Sequence, residues 1–256
     1  MPLEPTSFGE DAPSGENLEY DRSFIALERA AQPQEERQMG DAVIEGAEPD
    51  YKAVAAAAEE IIDRSNDLRA AVYLATARAR LAGFAGYAEA VGYIRACLEQ
   101  FWDSCHPQLD ADDDDDPTMR VNAVLSLADP ERGLRAVRLA PLAESPQLGR
   151  FSLRDIAIAA GEATAPADME NPPDPTVIAA AFKDTPAEVL AANLAAARAA
   201  LEAVQGIDAV FDARTPGAGP QLDPVLRLLK AAVARLAEEV GEPEIPEPED
   251  ESAAEP

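Results

Sequence analysis

Apolar residues recur at three- and four-residue spacing along most of this chain, the signature of helices that each bury one face. The first such stretch is YDRSFIALERAA at 20–31, where Phe24, Leu27 and Ala31 share a face and Asp21 suits the N-cap. The second is YKAVAAAAEEIIDRS at 51–65, opened by Asp50 and striped by Tyr51, Val54, Ala58, Ile61 and Ile62. The third, NDLRAAVYLATARARLAG, takes Asn66 or Asp67 as its cap and closes at Gly83. A fourth covers roughly 85–105 and stops before Pro107, with Tyr87, Val91, Ile94, Leu98, Phe101 or Trp102, and Cys105 on one side.

PTMRVNAVLSLAD then predicts a helix with Asp116 as cap and Pro117 at the first position, turning Val121, Val124, Leu125 and Ala128 inward. Residues 134–160 fit a helix end followed by one short β-hairpin near 140–158, although Phe151, Leu153, Ile156 and Ile158 alternate too irregularly to fix it. Helical periodicity returns at 176–183, 186–212 and 222–240. The middle of these has a complete start signal, with Asp184 or Thr185 as cap, Pro186 first and Glu188 close behind. TPGAGP at 215–220 makes the turn of an antiparallel helical hairpin.

The fold class is therefore all-α. The predicted order is an extended segment at 1–20, a multi-helix domain at 21–162, and a proline-rich linker at 163–175. A helical hairpin region at 176–240 and a disordered acidic tail at 241–256 follow. Residues 32–49 read as a long irregular loop inside the first domain.

Charge narrows the class of partner. The net charge of −28 over 256 residues opposes a nucleic-acid backbone and an anionic membrane surface, and it suits a basic protein partner. Residues 238–256 hold nine acidic residues and no basic one, and Asp110 with Asp112 to Asp116 supply six more. Without these fifteen the remainder is still at −13, so acidity belongs to the folded part too. The start of the chain has no basic region or apolar run of a signal peptide, and no stretch reads as a membrane span. A cytoplasmic soluble protein is expected. Cys97 and Cys105, eight apart on what reads as one helix, would lie about 12 Å apart, too far for a disulfide.

The carboxylate run HPQLDADDDDDPTMRVNA at 106–123 is the natural place to seek chemistry. A calcium loop needs glycine at its sixth position and glutamate at its twelfth. Counting from Asp110 these are Asp115 and Val121, and from Asp112 they are Pro117 and Ala123, so both frames fail. Zinc would want more than the lone His106. A helix cap plus a solvated loop accounts for more, with Asp116 at a helix start and Arg120 one turn in, able to reach back to the acids. The rival reading is a calcium- or magnesium-binding protein or a metal-dependent hydrolase built on 106–116. DLR at 67–69 reads as a cap with surface charges ahead of an ion-pair network. No nucleophile elbow, phosphate-binding glycine loop or Cys-x-x-Cys is present, so no catalytic residue, cofactor or metal is assigned.

Four blocks in order carry a family resemblance: PSGENLEYDRSFIALERAA at 13–31, DLRAAVYLATARARLAGFAGYAEAV at 67–91, FWDSCHPQLDADDDDDPTMRVNA at 101–123, and APLAES…LGRFSLRDIAIAAG at 140–161. Together they resemble the ImpA N-terminal domain of TssA proteins from bacterial type VI secretion systems. The residues that match its motifs are Gly15, Leu18, Tyr20, Asp21, Phe24, Asp67, Leu68, Arg69, Trp102, His106, Pro107, Asp110, Asp116, Pro117, Arg120, Asn122, Arg154 and Asp155. The resemblance implies a non-enzymatic assembly role, with protein partners among baseplate, sheath, tube or membrane-complex subunits. It also implies homo-oligomerisation through a further C-terminal domain. That domain does not follow the acidic tail, so the chain is expected to be a fragment or a form without its own ring. A membrane-anchored relative is disfavoured by the lack of an apolar span. Tyr20, Phe24 and Trp102 are expected in the core, and Arg120 with Asn122 are expected to tie the acidic loop to neighbouring backbone.

Overall fold

Three aspartates start the first three helices of the computed structural model. Asp21 accepts from the Ser23 N–H at 2.9 Å and opens α1 (Arg22–Ala30). After two short antiparallel strands, β1 (Arg37–Met39) and β2 (Ala42–Ile44), Asp50 accepts from Lys52 and Ala53 and opens α2 (Tyr51–Ile62). Asp67 does the same for Arg69 and opens α3 (Leu68–Gln100). The structure describes residues 3–33, 37–39, 42–44, 46–166, 169 and 171–241, with 37–39 and 42–44 by backbone alone. The strand pair corrects the irregular loop expected over 32–49: backbone ladder bonds form there despite a polar sequence.

α3 is a hairpin of two helical arms. At Gly83 the backbone takes φ 62° and ψ −146°, a conformation open essentially to glycine alone. The chain folds back there, because the Tyr93 hydroxyl reaches the Asn66 side-chain carbonyl at 3.1 Å and Arg78 pairs with Glu89. The arms match the two helices read from the sequence. The second arm ends at Gln100, short of the expected 105, so Cys105 lies beyond it and the two cysteines do not share a helix. Both are free thiols in the core.

α4 (Thr118–Leu125) runs into a 3-10 turn (Ser126–Ala128), and α5 (Gly133–Leu139) leads to the hairpin β3 (Pro141–Ser145) and β4 (Gly149–Ser152). The expected β-hairpin is present, followed at once by α6 (Leu153–Ala159). Leu125, expected inward, is exposed, because Val124 and Leu127 take the buried positions of this turn.

α7 (Pro175–Asp184), α8 (Ala187–Arg214) and α9 (Asp223–Val240) follow, each within a few residues of its sequence boundary. The residues expected to cap α8 do another job. Ser145 donates to the Asp184 carboxylate at 2.6 Å, and the Glu144 N–H donates to the Thr185 hydroxyl at 3.0 Å. They hold β3 against the α7–α8 corner, and Pro186 fills the cap position with no side-chain bond.

α8 packs along α3 and pairs with α9. Phe211 of α8 meets Trp102 edge-on, with ring centroids 5.4 Å apart. One hydrophobic cluster therefore runs from Leu18 through both arms of α3 to Leu236 and Ala237 of α9. The acidic tail from residue 242 lies outside the described residues. Among the described residues no helix is long and apolar enough to cross a membrane.

Candidate functional site

Six motif residues, Gly15, Leu68, Trp102, His106, Pro107 and Arg120, meet in one buried polar knot. The Ser14 carbonyl accepts from the Asn66 N–H at 2.9 Å and from the Ser65 hydroxyl at 3.2 Å. The His106 N–H donates to Asn66 at 2.9 Å, and the Leu68 N–H donates to His106 at 2.8 Å. His106 Nε2 lies 3.1 Å from the Gly15 carbonyl, so the ring proton sits on Nε2, since a carbonyl can only accept. Gly15 has φ 74°, and a Cβ there would stand 2.2 Å from the Arg64 carbonyl, so only glycine lets the strands touch. The knot sews the N-terminal segment, the α2–α3 junction and the loop at 101–107 together.

Arg120 closes the knot from the other side. Its side chain is buried and donates to the carbonyls of Trp102, Cys105 (2.8 Å) and Pro107 (3.0 and 3.1 Å). Burial pulls its pKa below the ordinary arginine value. It does not reach the acidic loop as expected. The loop satisfies itself: Asp110 and Asp116 exchange backbone bonds, Asp110 accepts from the Asp112 N–H, and Asp116 accepts from the Thr118 N–H at 2.8 Å. Pro117 stands at the cap of α4, so the helix begins one residue later than expected. Asn122 is exposed, and it is its carbonyl that takes a bond, from Ser126. Among the described residues no three His, Cys, Asp or Glu side chains group to hold a metal ion.

The remaining motif residues divide between core, knot and surface. Leu18, Phe24, Leu68 and Trp102 are buried. Tyr20, expected in the core, is 89% exposed, since it precedes α1 and its neighbour Asp21 turns toward Arg64. The Arg64 guanidinium and the Ser23 N–H hold the Asp21 carboxyl well below the usual range. Arg69 pairs with the buried Asp67 at 2.7 Å and with Glu19 at 3.0 Å, so the DLR stretch is an ion-pair network as well as a cap. Asp155 forms a capping box with Ser152 at the start of α6, beside the half-buried Arg154.

Next to the knot opens a cleft of about 640 Å³, walled by α1, α2, the first arm of α3 and the segment 123–135. Its three aromatic rings each carry an arginine. Arg69 stands 4.8 Å from the Phe24 centroid, Arg80 5.3 Å from Tyr51, and Arg132 5.9 Å from Tyr73. Arg135, on the far wall, pairs with Glu48 at 2.7 Å. Arg69 is also paired with Asp67 and Glu19, and Arg80 with Glu48, whereas Arg132 has its nearest carboxylate at 3.7 Å. Sequence reasoning missed this site because its rings come from three separated segments, and Arg132 from a fourth that shows no motif.

The motif residues hold a helical scaffold together, and an arginine–aromatic cleft opens on one side of it. Residues 6–129 match the family described as ImpA, N-terminal, type VI secretion system. The chain is 39% identical over 234 residues to the type VI secretion system component TssA1 of Pseudomonas aeruginosa, covering 91% of this chain and 67% of that protein. It superposes with a TM-score of 0.73, at 24% identity, on the N-terminal domain, including the conserved ImpA_N region, of the TssA component from Burkholderia cenocepacia. That match covers 95% of this chain and 97% of the other. The chain belongs to the TssA family of type VI secretion system components, with the ImpA N-terminal domain at its head.

Proposed function

We propose that this chain is a non-enzymatic adaptor of type VI secretion assembly and that the arginine–aromatic cleft receives a partner subunit of the baseplate, the sheath and tube, or the membrane complex. Partner binding would bring it to the secretion apparatus at the inner membrane. The observation that carries the reading is the contrast between the two halves of the site. The motif residues Gly15, Asp67, His106 and Arg120 are engaged in internal hydrogen bonds, whereas Arg132, half exposed, has its nearest carboxylate, Asp129, at 3.7 Å. A cleft of this size, lined by Phe24, Tyr51 and Tyr73 with Arg132 at its rim, suits a protein segment that brings an apolar side chain and a carboxylate.

The test is a pull-down of the full chain from a bacterium with an active contractile secretion system, read by mass spectrometry. Baseplate, sheath, tube or membrane-complex subunits should be enriched, and Tyr73→Ala with Arg132→Glu should remove them. Recovery of the same subunits by the double variant would overturn the cleft as the contact. Recovery of no secretion subunit by the unaltered chain would overturn the adaptor role itself.

A further inference from the structure

We infer that the partner segment is basic: it sets an apolar side chain among Phe24, Tyr51 and Tyr73 and flanks it with lysine or arginine facing Glu28 and Glu131. This rests on the reading of the cleft as a docking site. The cleft already answers most of its own charge. Arg69 is held by Asp67 and Glu19, Glu48 bridges Arg80 and Arg135, and Asp129 stands 3.7 Å from Arg132. The carboxylates of Glu28 and Glu131 are left over, exposed and without a hydrogen bond or ion pair among the described residues.

Their placement follows from the chain. Glu28 lies one turn after Phe24 on α1, so both sit on the side of the helix that lines the cleft. Glu28 there shares a recess with Tyr73 and Arg132, yet no ion pair joins it to that arginine. Glu131 belongs to the wall at 123–135, in the turn before α5. Its N–H donates to Asp129 at 3.1 Å, and its carboxylate is left to solvent. An apolar side chain entering over the rings thus meets unanswered carboxylates from two separate elements. Arg132 adds a place for one carboxylate of the same segment, which is therefore basic in balance and not uniformly so.

The field of the whole molecule acts in the same sense. The net charge is −28, and a cleft with apolar walls concentrates the field of the charges at its mouth. An acidic segment is repelled on approach, and a basic one is drawn in. Exposed carboxylates each contribute little once contact is made, so their effect lies in which segment arrives and how fast.

The experiment is photo-crosslinking of the full chain in a bacterium with an active contractile secretion system, with p-benzoylphenylalanine in place of Gln32, exposed beside the Glu28 recess. Captured secretion subunits are digested after glutamate, so that lysine and arginine stay inside the peptides that are mapped. The captured peptide should carry an apolar residue with lysine or arginine within a helical turn of it. Its yield should fall several-fold with Glu28→Lys plus Glu131→Lys, and less with Glu28→Gln plus Glu131→Gln. Glu188→Lys plus Asp212→Lys, an equal change of net charge at exposed positions of α8, should leave it unchanged. A captured peptide without basic residues, a yield that ignores the reversals at 28 and 131, or an equal fall in the α8 variant would overturn the proposal. If Tyr73→Ala with Arg132→Glu abolishes the crosslink while the reversals at 28 and 131 do not, the docking site stands and its preference for a basic segment falls. Capture of no secretion subunit would remove the docking site, and this inference with it.

Discussion

The guanidinium of Arg120 lies 4.9 Å from the centroid of the Trp102 ring and donates to the carbonyl of that same residue. Arg120 is thereby the rivet of the loop at 101–107, satisfying three carbonyls that no backbone partner reaches. Trp102, pinned on one face, presents its edge to Phe211 on α8.

Arg120→Ala should cost about 3 kcal/mol, since it orphans buried carbonyls and leaves a void. For a chain of this size that is a fall of roughly 6–12 °C in Tm. Arg120→Lys should also destabilise, because an ammonium cannot reproduce the planar fork. Thermal unfolding followed by circular dichroism checks both; an unchanged Tm would contradict the rivet.

Two buried tyrosines should respond in opposite ways. The Tyr87 hydroxyl is buried without a hydrogen-bond partner among the described residues, and burial pushes its pKa well up. The Tyr93 hydroxyl serves Asn66. Tyr87→Phe should be neutral or slightly stabilising, whereas Tyr93→Phe should cost about 1 kcal/mol. Denaturant midpoints of the two variants separate them.

Gly83→Ala should destabilise by about 1–3 kcal/mol. The added Cβ must adopt a conformation reserved for glycine and would stand 3.3 Å from Pro141 Cδ, where β3 begins. Gly92→Ala, in the same helix with nothing within 4 Å of the new Cβ, is the control and should be neutral or better. Equal effects of the two in chemical unfolding would refute the hairpin account of α3.

Acid should destabilise the protein through the carboxylates at its helix starts. Asp21, Asp116 and Asp174 all have pKa values lowered in the folded state, Asp21 by Arg64 and the other two by Thr118 and Thr176. Their contribution is complete above the unfolded value of about 4 and is lost as pH falls through the lower folded values. Tm should therefore decline below about pH 4. Asp21→Asn should lower Tm at neutral pH and flatten that decline; a variant with the same acid limb as the parent would count against the assignment.

Much of this fold was legible in local signals. Asp21, Asp50 and Asp67 announced their helices, Gly83 marked the turn between two arms, and the 215–220 turn joined α8 to α9. What was hidden depended on contacts between distant segments. Arg120 looked like a surface partner of six aspartates four to ten residues away, yet carbonyls 13 to 18 residues away claim it. Thr185 carried a cap signal, but β3 competes for its hydroxyl. Tyr20 looked like a core aromatic because composition says nothing of where the chain turns before α1. The cleft had no linear signature at all, since an arginine stacked on a ring 45 or 59 residues away in the chain leaves no local pattern.

The Trp102–Phe211 contact carries a last consequence. The ImpA N-terminal match spans residues 6–129, but the packing that covers Trp102 comes from beyond residue 200. The segment that this match spans is thus smaller than the segment that closes the hydrophobic cluster. A chain cut at 129 would bare the face of α3 that α8 now covers, and such a surface invites self-association.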